Sequence, residues 1–141
     1  MRADQIHLEV VTPERAVLAE DVDGVVLPGM EGELGVLPGH MPLLTQLGIG
    51  EMVVKSEEDE RHFFVVRGFA EVLGDRVRVL AQECEGVEDI DIDQARRELQ
   101  EAEKEVQKLE EERTEEELLQ KYRDSLKKNR MRLMLSDDVD E

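Results

Sequence analysis

Glycine and proline are confined to one part of this chain. All ten Gly lie between Gly24 and Gly86 and all four Pro between Pro13 and Pro42. Both residues punctuate turns and oppose helix interiors, Gly by reaching positive φ and Pro by fixing φ and lacking an N–H. The first part is therefore expected to be turn-rich, and everything after Gly86 is free to be helical. Charge density changes at the same place. Residues 1–87 carry 17 acids and 7 bases, and the shorter stretch 88–141 carries 19 acids and 11 bases. The spacing predicts two domains, 1–87 and 88–141, meeting near Gly86 to Ile90.

The first domain reads as short strands. Ile6, Leu8 and Val10 alternate with His7, Glu9 and Val11, the period of a half-buried strand. Similar runs follow at 15–19, 22–27, 34–37, 50–55, 61–67, 69–73 and 76–81. Gly74-Asp75 suits a tight hairpin between the last two, and Ser56-Glu-Glu-Asp-Glu60 a slightly longer one. Many short strands with no helical period between them indicate an antiparallel β-sandwich or barrel.

The second domain switches to helical spacing. Ile92, Ala95, Leu99, Ala102, Val106 and Leu109 lie on one helix face, with Asp91 or Asp93 able to cap its start. A second seam follows at Leu119, Tyr122 and Leu126, with Asn129 at the next position and Leu133 after it. It is out of phase with the first, so one continuous coiled coil is disfavoured. Thr114-Glu-Glu-Glu117 fits a capping box. The expected arrangement is an antiparallel two-helix hairpin folded near Arg113–Thr114, with one bent long helix as the alternative. Both seams are narrow, and the first uses Ala at two positions. Such a contact is marginal by itself, so the hairpin is either a movable element or a permanently docked pair.

The formal net charge is −18. Nucleic-acid binding, which needs a basic face for phosphates, is excluded as the main role, and anionic lipid surfaces are disfavoured. No apolar run approaches the ~20 residues of a membrane span, and the N-terminal Met1-Arg-Ala-Asp-Gln5 lacks the core of a signal peptide. Together with the lone Cys84 this predicts a soluble intracellular protein. The chemistry of an enzyme is missing as well. There is no phosphate-cradling Gly-Lys loop, Ser56, Ser125 and Ser136 sit in no nucleophile elbow, and His7, His40 and His62 form no ligand pair. Glu83 and Glu85 flank Cys84 and are expected to raise its pKa.

One block carries a resemblance. Residues 26–45, Val-Leu-Pro-Gly-Met-Glu-Gly-Glu-Leu-Gly-Val-Leu-Pro-Gly-His-Met-Pro-Leu-Leu-Thr, resemble the epsilon-subunit family of F-type ATP synthases. Val11-Thr-Pro-Glu-Arg15 and Gly68-Phe-Ala-Glu71 are similar to it too, and the resemblance extends to about Leu135. It implies an α+β fold, an N-terminal antiparallel β-sandwich followed by a C-terminal helical hairpin. It also implies a non-catalytic rotor subunit on the cytoplasmic face of a bacterial plasma membrane, attached there only through the complex. The sandwich would bind the gamma subunit and the ring of c subunits, with Glu33 toward the ring, His40 at the gamma-facing edge and Gly32 as a further interface position.

The same resemblance implies that the hairpin impedes ATP hydrolysis when extended. Lys127, Lys128, Arg130 and Arg132 would then meet an acidic segment of the beta subunit. No cofactor is required, but some family members bind ATP as a regulatory ligand through an Ile/Leu-Asp-x-x-Arg-Ala motif. Ile92-Asp93-Gln94-Ala95-Arg96 matches it, with Arg97 in place of the alanine, and Lys128 and Arg132 would supply cations from the second helix. Without the resemblance, two other roles fit: a free-standing adaptor with a coiled-coil handle, and a small ligand-binding β-barrel. Co-purification with gamma at defined stoichiometry would favour the rotor-subunit reading over both, and a deep apolar pocket would favour the barrel.

Overall fold

A computed structural model of the chain describes residues 4–111 and 116–139, with side chains to residue 136. The expected fold point at Arg113–Thr114 and the Thr114 cap lie outside the described residues. The chain divides into two compact units, Met1–Gly86 and Val87–Glu141.

The first unit contains seven strands: β1 (Ile6–Val11), β2 (Ala16–Val22), β3 (Gly24–Gly29), β4 (Gly32–Val36), β5 (Leu43–Ser56), β6 (Asp59–Leu73) and β7 (Arg76–Gly86). They hydrogen-bond in the order β2-β1-β7-β6-β5-β3-β4. All pairs are antiparallel except β1–β7, which runs parallel from His7↔Arg76 to Val11↔Leu80. The sandwich is otherwise antiparallel, as the sequence leads one to expect. The parallel pair arises because β1 and β7, at opposite ends of the unit's sequence, are neighbours with no hairpin to set their direction.

Three strands are longer than their sequence patterns suggest. The runs at 61–67 and 69–73 are one strand, β6, and β5 starts at Leu43 rather than Gly50. Only Glu57 and Glu58 separate β5 from β6, a tighter connection than expected. The reason lies in how one sheet makes two layers. Side chains on a strand alternate faces, so residues on the same face are an even number apart. Yet Leu47 and Met52 of β5 share the core, as do Val65 and Ala70 of β6 and Ala81 and Cys84 of β7. Each pair is separated by an odd step, so each long strand changes face midway.

The three changes fall on one line. The β5–β6 ladder has no pair between Leu47↔Gly68 and Ile49↔Val66, and the β6–β7 ladder has none between Val66↔Glu83 and Gly68↔Ala81. Gly48, Arg67 and Gln82 occupy those gaps. Arg67 adopts φ 40° and Gly68 φ 152°, conformations that side chains resist. A Cβ on Gly68 would lie 1.9 Å from the Leu80 carbonyl oxygen, so only glycine lets β6 pass β7 there. Along this line the sheet folds over. One layer holds β2, β1 and the adjoining ends of β7, β6 and β5, and the other holds the opposite ends with β3 and β4. Ile6, Leu8, Val10, Val77 and Val79 of one layer share a core with Val25, Leu27, Val36, Met52 and Val54 of the other. At the rim, Asp23 donates its N–H to the Lys55 oxygen at 2.8 Å, and Arg61 of β6 pairs with Glu20 of β2.

The second unit begins with a short 3-10 turn, Val87–Asp89, and holds α1 (Ile92–Glu111) and α2 (Glu116–Val139). Asp91, not Asp93, caps α1: its carboxylate accepts the Gln94 N–H at 3.0 Å. Ion pairs between the helices run Glu110–Arg123, Glu103–Arg130 and Glu98–Arg132. As one number falls the other rises, so the helices are antiparallel, and α1 and α2 form the expected hairpin.

Candidate functional site

The Gly/Pro block of residues 26–45 builds one end of the sandwich. β3 and β4 form a hairpin turned at Met30–Glu31, closed by Gly29↔Gly32. Gly32 has φ 136°, and a Cβ on Gly29 would approach the Gly32 oxygen to 2.6 Å. Pro28 sits where the β3–β5 ladder is interrupted, so its missing N–H leaves no gap in the pairing. The Met30 N–H donates to the Gln46 oxygen at 2.9 Å and ties the tip to β5. Between tip and strand lies an open groove of about 480 Å³, lined by Gly32, Glu33, Leu43, Leu44 and Gln46 among others. Glu33 is exposed on β4.

His40 lies on the next connection, after Gly39 at φ 83°. Its N–H donates to the Leu37 oxygen at 3.1 Å, and its Nδ1 lies 2.7 Å from the Met41 oxygen. The ring is thus held by its own loop. Gly32 and Glu33 share the groove, while His40 stands on a neighbouring loop with Leu37 and Met41, both exposed.

An apolar surface that the motif did not reveal continues from this end. Leu44, Phe69 and Leu80 are 69%, 52% and 50% exposed. Gln46 pairs with Phe69, Phe69 with Leu80, and Leu44 with Glu71, so the three apolar side chains share one sheet face across three strands. The signal was present in the sequence. Between Phe69 and Leu80 the inward set is apolar, Ala70, Val72, Val77 and Val79, while the outward set places the large Phe69, Leu73 and Leu80 among the charged Glu71, Arg76 and Arg78. A strand that needed only one buried face would not spend large apolar residues on the other. Exposed apolar side chains gathered in this way mark an interaction surface.

The four cations Lys127, Lys128, Arg130 and Arg132 have different surroundings. Lys127 is exposed, and Arg130 reaches Glu103 at 3.8 Å. Arg132 is turned toward α1, where its guanidinium donates to Glu98 at 3.3 Å and to the Asn129 side-chain oxygen at 3.0 Å. Lys128 is half-buried and also engaged. Asp93 and Arg96 are exposed at the start of α1. The four residues named for ATP therefore fall into two groups, an exposed pair and a pair drawn into contacts with the rest of the chain.

Burial pushes the Cys84 thiol up to about 11, with Glu85 adding to the rise and Arg15 opposing it. Desolvation is the main cause, and of the flanking carboxylates Glu85 adds to the rise. The thiol stays neutral across physiological pH. Among the described residues no group of His, Cys, Asp and Glu is placed to hold a metal ion, and no helix is long and apolar enough to cross a membrane.

Comparison with known proteins bears on the same two units. Residues 5–87 match the family model of the ATP synthase delta/epsilon chain β-sandwich domain. The chain is 53% identical over 92 residues to the ATP synthase epsilon chain of Nitratidesulfovibrio vulgaris, covering 65% of this chain and 69% of that one. It is 50% identical over 100 residues to the epsilon chain of Carboxydothermus hydrogenoformans, covering 71% and 75%. Among solved structures, a chain of the Euglena gracilis mitochondrial ATP synthase superposes with a TM-score of 0.76 at 26% identity. The match spans 92% of this chain and 79% of that one, and so reaches into the helices. With the folded seven-stranded sheet, the two C-terminal helices and the Gly/Pro end that builds the groove, these matches show that the chain belongs to the ATP synthase delta/epsilon family, as a non-catalytic epsilon subunit of the F-type enzyme's central stalk.

Proposed function

We propose that the sandwich couples the gamma subunit to the c-subunit ring and that the helical hairpin restrains ATP hydrolysis. The observation that carries the coupling role is the exposed apolar face of Leu44, Phe69 and Leu80 beside the groove of the β3–β4 tip. The two surfaces offer different chemistry at adjacent places. The face presents the large apolar Leu44, Phe69 and Leu80 with Glu71 and Arg78 beside them and suits a contact with gamma, whereas Gly32 and Glu33 offer backbone and a carboxylate to a polar loop of the ring. The Euglena relative comes from an assembly of F1 with the c-ring, which supports this arrangement. Partners of this kind would hold the chain at the cytoplasmic face of a bacterial plasma membrane without an insertion of its own.

For the restraining role, Lys127 and Arg130 are the exposed members of the set Lys127, Lys128, Arg130 and Arg132 that could meet an acidic segment of the beta subunit. Lys128 and Arg132 would join them once the helices separate. The role requires no cofactor, and ATP would enter as a regulatory ligand of Asp93, Arg96, Lys128 and Arg132, detectable by calorimetric titration of the free chain.

The test is binding of the full chain to purified gamma. Phe69→Asp and Leu80→Asp are each expected to raise Kd about tenfold or more, since a charge replaces an apolar anchor near the centre of the contact. Both positions are half-exposed, so the fold should survive. Unchanged affinity in both variants would remove the apolar face from the interface.

A further inference from the structure

The two edges of β5 are not equally used. On one side it pairs with β6 from Leu43↔Val72 to Ser56↔Asp59. On the other, β3 accompanies it only to Gly29↔Leu47, and the Met30 N–H reaches one residue further, to the Gln46 oxygen at 2.9 Å. The chain then turns away into β4. Residues 43–45 of β5 are left as an edge on that side.

Backbone groups alternate along a strand, so residues two apart face the same neighbour. Gln46 turns its oxygen toward β3, and Leu44 therefore turns its N–H and C=O the same way. Neither group has a hydrogen-bond partner among the described residues. Pro42, two residues earlier, has no N–H, so the usable edge is the single rung of Leu44. This rung faces the groove beside the β3–β4 tip, with Leu44 and Gln46 on one wall and Gly32 and Glu33 on the other. The wall at Gly32 stands clear, with no atom within 4 Å of where a Cβ would lie. Glu31 and Glu33 line the groove without a basic side chain beside them, and neither makes an ion pair among the described residues.

We propose that Leu44 is a strand-addition site. An extended, cation-bearing segment of a c-ring loop lies antiparallel to β5 where β3 leaves off, and exchanges two backbone hydrogen bonds with Leu44. Strand register gives the segment a pattern. The residue opposite Leu44 has its side chain on the face that Leu44 shares with Phe69 and Leu80, where an apolar group fits. A cation beside it answers Glu31 and Glu33. A second copy of the chain is a poor occupant, since each carries a net charge of −18. The choice of partner rests on the reading that the ring meets the groove, and the pairing at Leu44 adds how it is held.

The full chain is tested with purified c-ring in detergent and, separately, with purified gamma. Saturating ring should slow exchange of the Leu44 amide at least about tenfold, while the Thr45 amide, already within the β5–β6 ladder, changes little. Leu44→Pro deletes the N–H at a place where no ladder bond is lost, and Leu44→Ala trims the side chain but keeps the N–H. Leu44→Pro should bind ring about tenfold more weakly than Leu44→Ala. Unchanged Leu44 exchange in ring-bound chain would overturn strand addition, whether or not Leu44→Pro folds, as would equal ring affinity of the two variants. If Glu33→Gln still weakens ring binding in those cases, the ring meets the groove by other means and only strand addition fails. A chain that does not bind ring would remove the reading of the groove and the proposal with it. Protection of Leu44 by gamma instead, or in the free chain on raising its concentration, would overturn the ring as occupant.

Discussion

Gly68→Ala is the substitution with the most to say about this fold. A Cβ at position 68 would sit 1.9 Å from the Leu80 oxygen, 2.8 Å from the Ala81 Cα and 2.9 Å from the Leu80 carbonyl carbon. All three are backbone atoms of β7, so no rotamer change relieves the overlap. β7 has to retreat from β6 by about 1 Å, which takes a 2.9 Å hydrogen bond past useful length. Losing about two ladder bonds costs roughly 2 kcal/mol, and forcing alanine to positive φ adds about 1–2 kcal/mol. The expected loss is about 3–4 kcal/mol, a large share of the ~5–15 kcal/mol that holds a domain together. Gly74→Ala is the control. Gly74 also has positive φ, 61°, but open space where the Cβ would go, so only the backbone term of about 1 kcal/mol applies. Urea denaturation read from the amides of Val65 and Ala70 measures both, because the chain's single Tyr122 lies in α2 and does not report on the sandwich. If Gly68→Ala costs no more than Gly74→Ala, the fold line does not depend on close approach at Gly68, and the account given for the two layers is wrong.

Three other outcomes are expected. Asp91→Ala should cost the second unit about 1 kcal/mol by removing the cap from the Gln94 N–H, seen as faster exchange in the first turn of α1, while Asp91→Asn should cost much less. Cys84 binds its proton more tightly in the folded chain than in the unfolded one, since burial raises its pKa from 9.0 to about 11. Between those values the unfolded chain holds fewer protons, so stability should fall as pH rises from about 9 to about 11, by up to about 2 kcal/mol. Cys84→Val should flatten that part of the profile, and a thiol reagent at pH 8 should modify the native Cys84 far more slowly than a free thiol. Gly39→Val, forced to φ 83° in open space, should weaken association with gamma measurably while leaving exchange of the hairpin amides unchanged.

How much of this was legible in the residues depended on whether the signal was local. The restriction of Gly and Pro to the first part marked it as strand and turn because those residues act on their own backbone. The helix seams were readable for the same reason, since a helix's neighbours are three and four residues away. The long strands were misread where that locality fails. Gly68 looks like a break between two strands in sequence, yet it is the point where one strand passes close to another, and Leu80, which requires this, is distant in the chain. The parallel β1–β7 pair was hidden likewise, as no turn announces it. Of the candidate site, Gly32, Glu33 and His40 were found through their motif, whereas Leu44, Phe69 and Leu80 meet only through strand register. That Arg132 turns toward Glu98 is not legible in the sequence, because Glu98 lies on the other helix.

The line through Gly48, Arg67 and Gln82 has a mechanical consequence. In a sandwich of two separate sheets, the layers are joined by side-chain packing and loops, and sideways force makes them slide on an apolar surface. Here β5, β6 and β7 each run through both layers, so the two are joined by three lengths of covalent backbone with hydrogen bonds between them. Force applied to the layer carrying Leu44, Phe69 and Leu80 reaches the layer carrying the β3–β4 tip as tension and bending in the strands. A part clamped by one partner on each layer would transmit torsion with little internal slip, and the stiffness of the joint would be set at the crease, by Arg67 and Gly68.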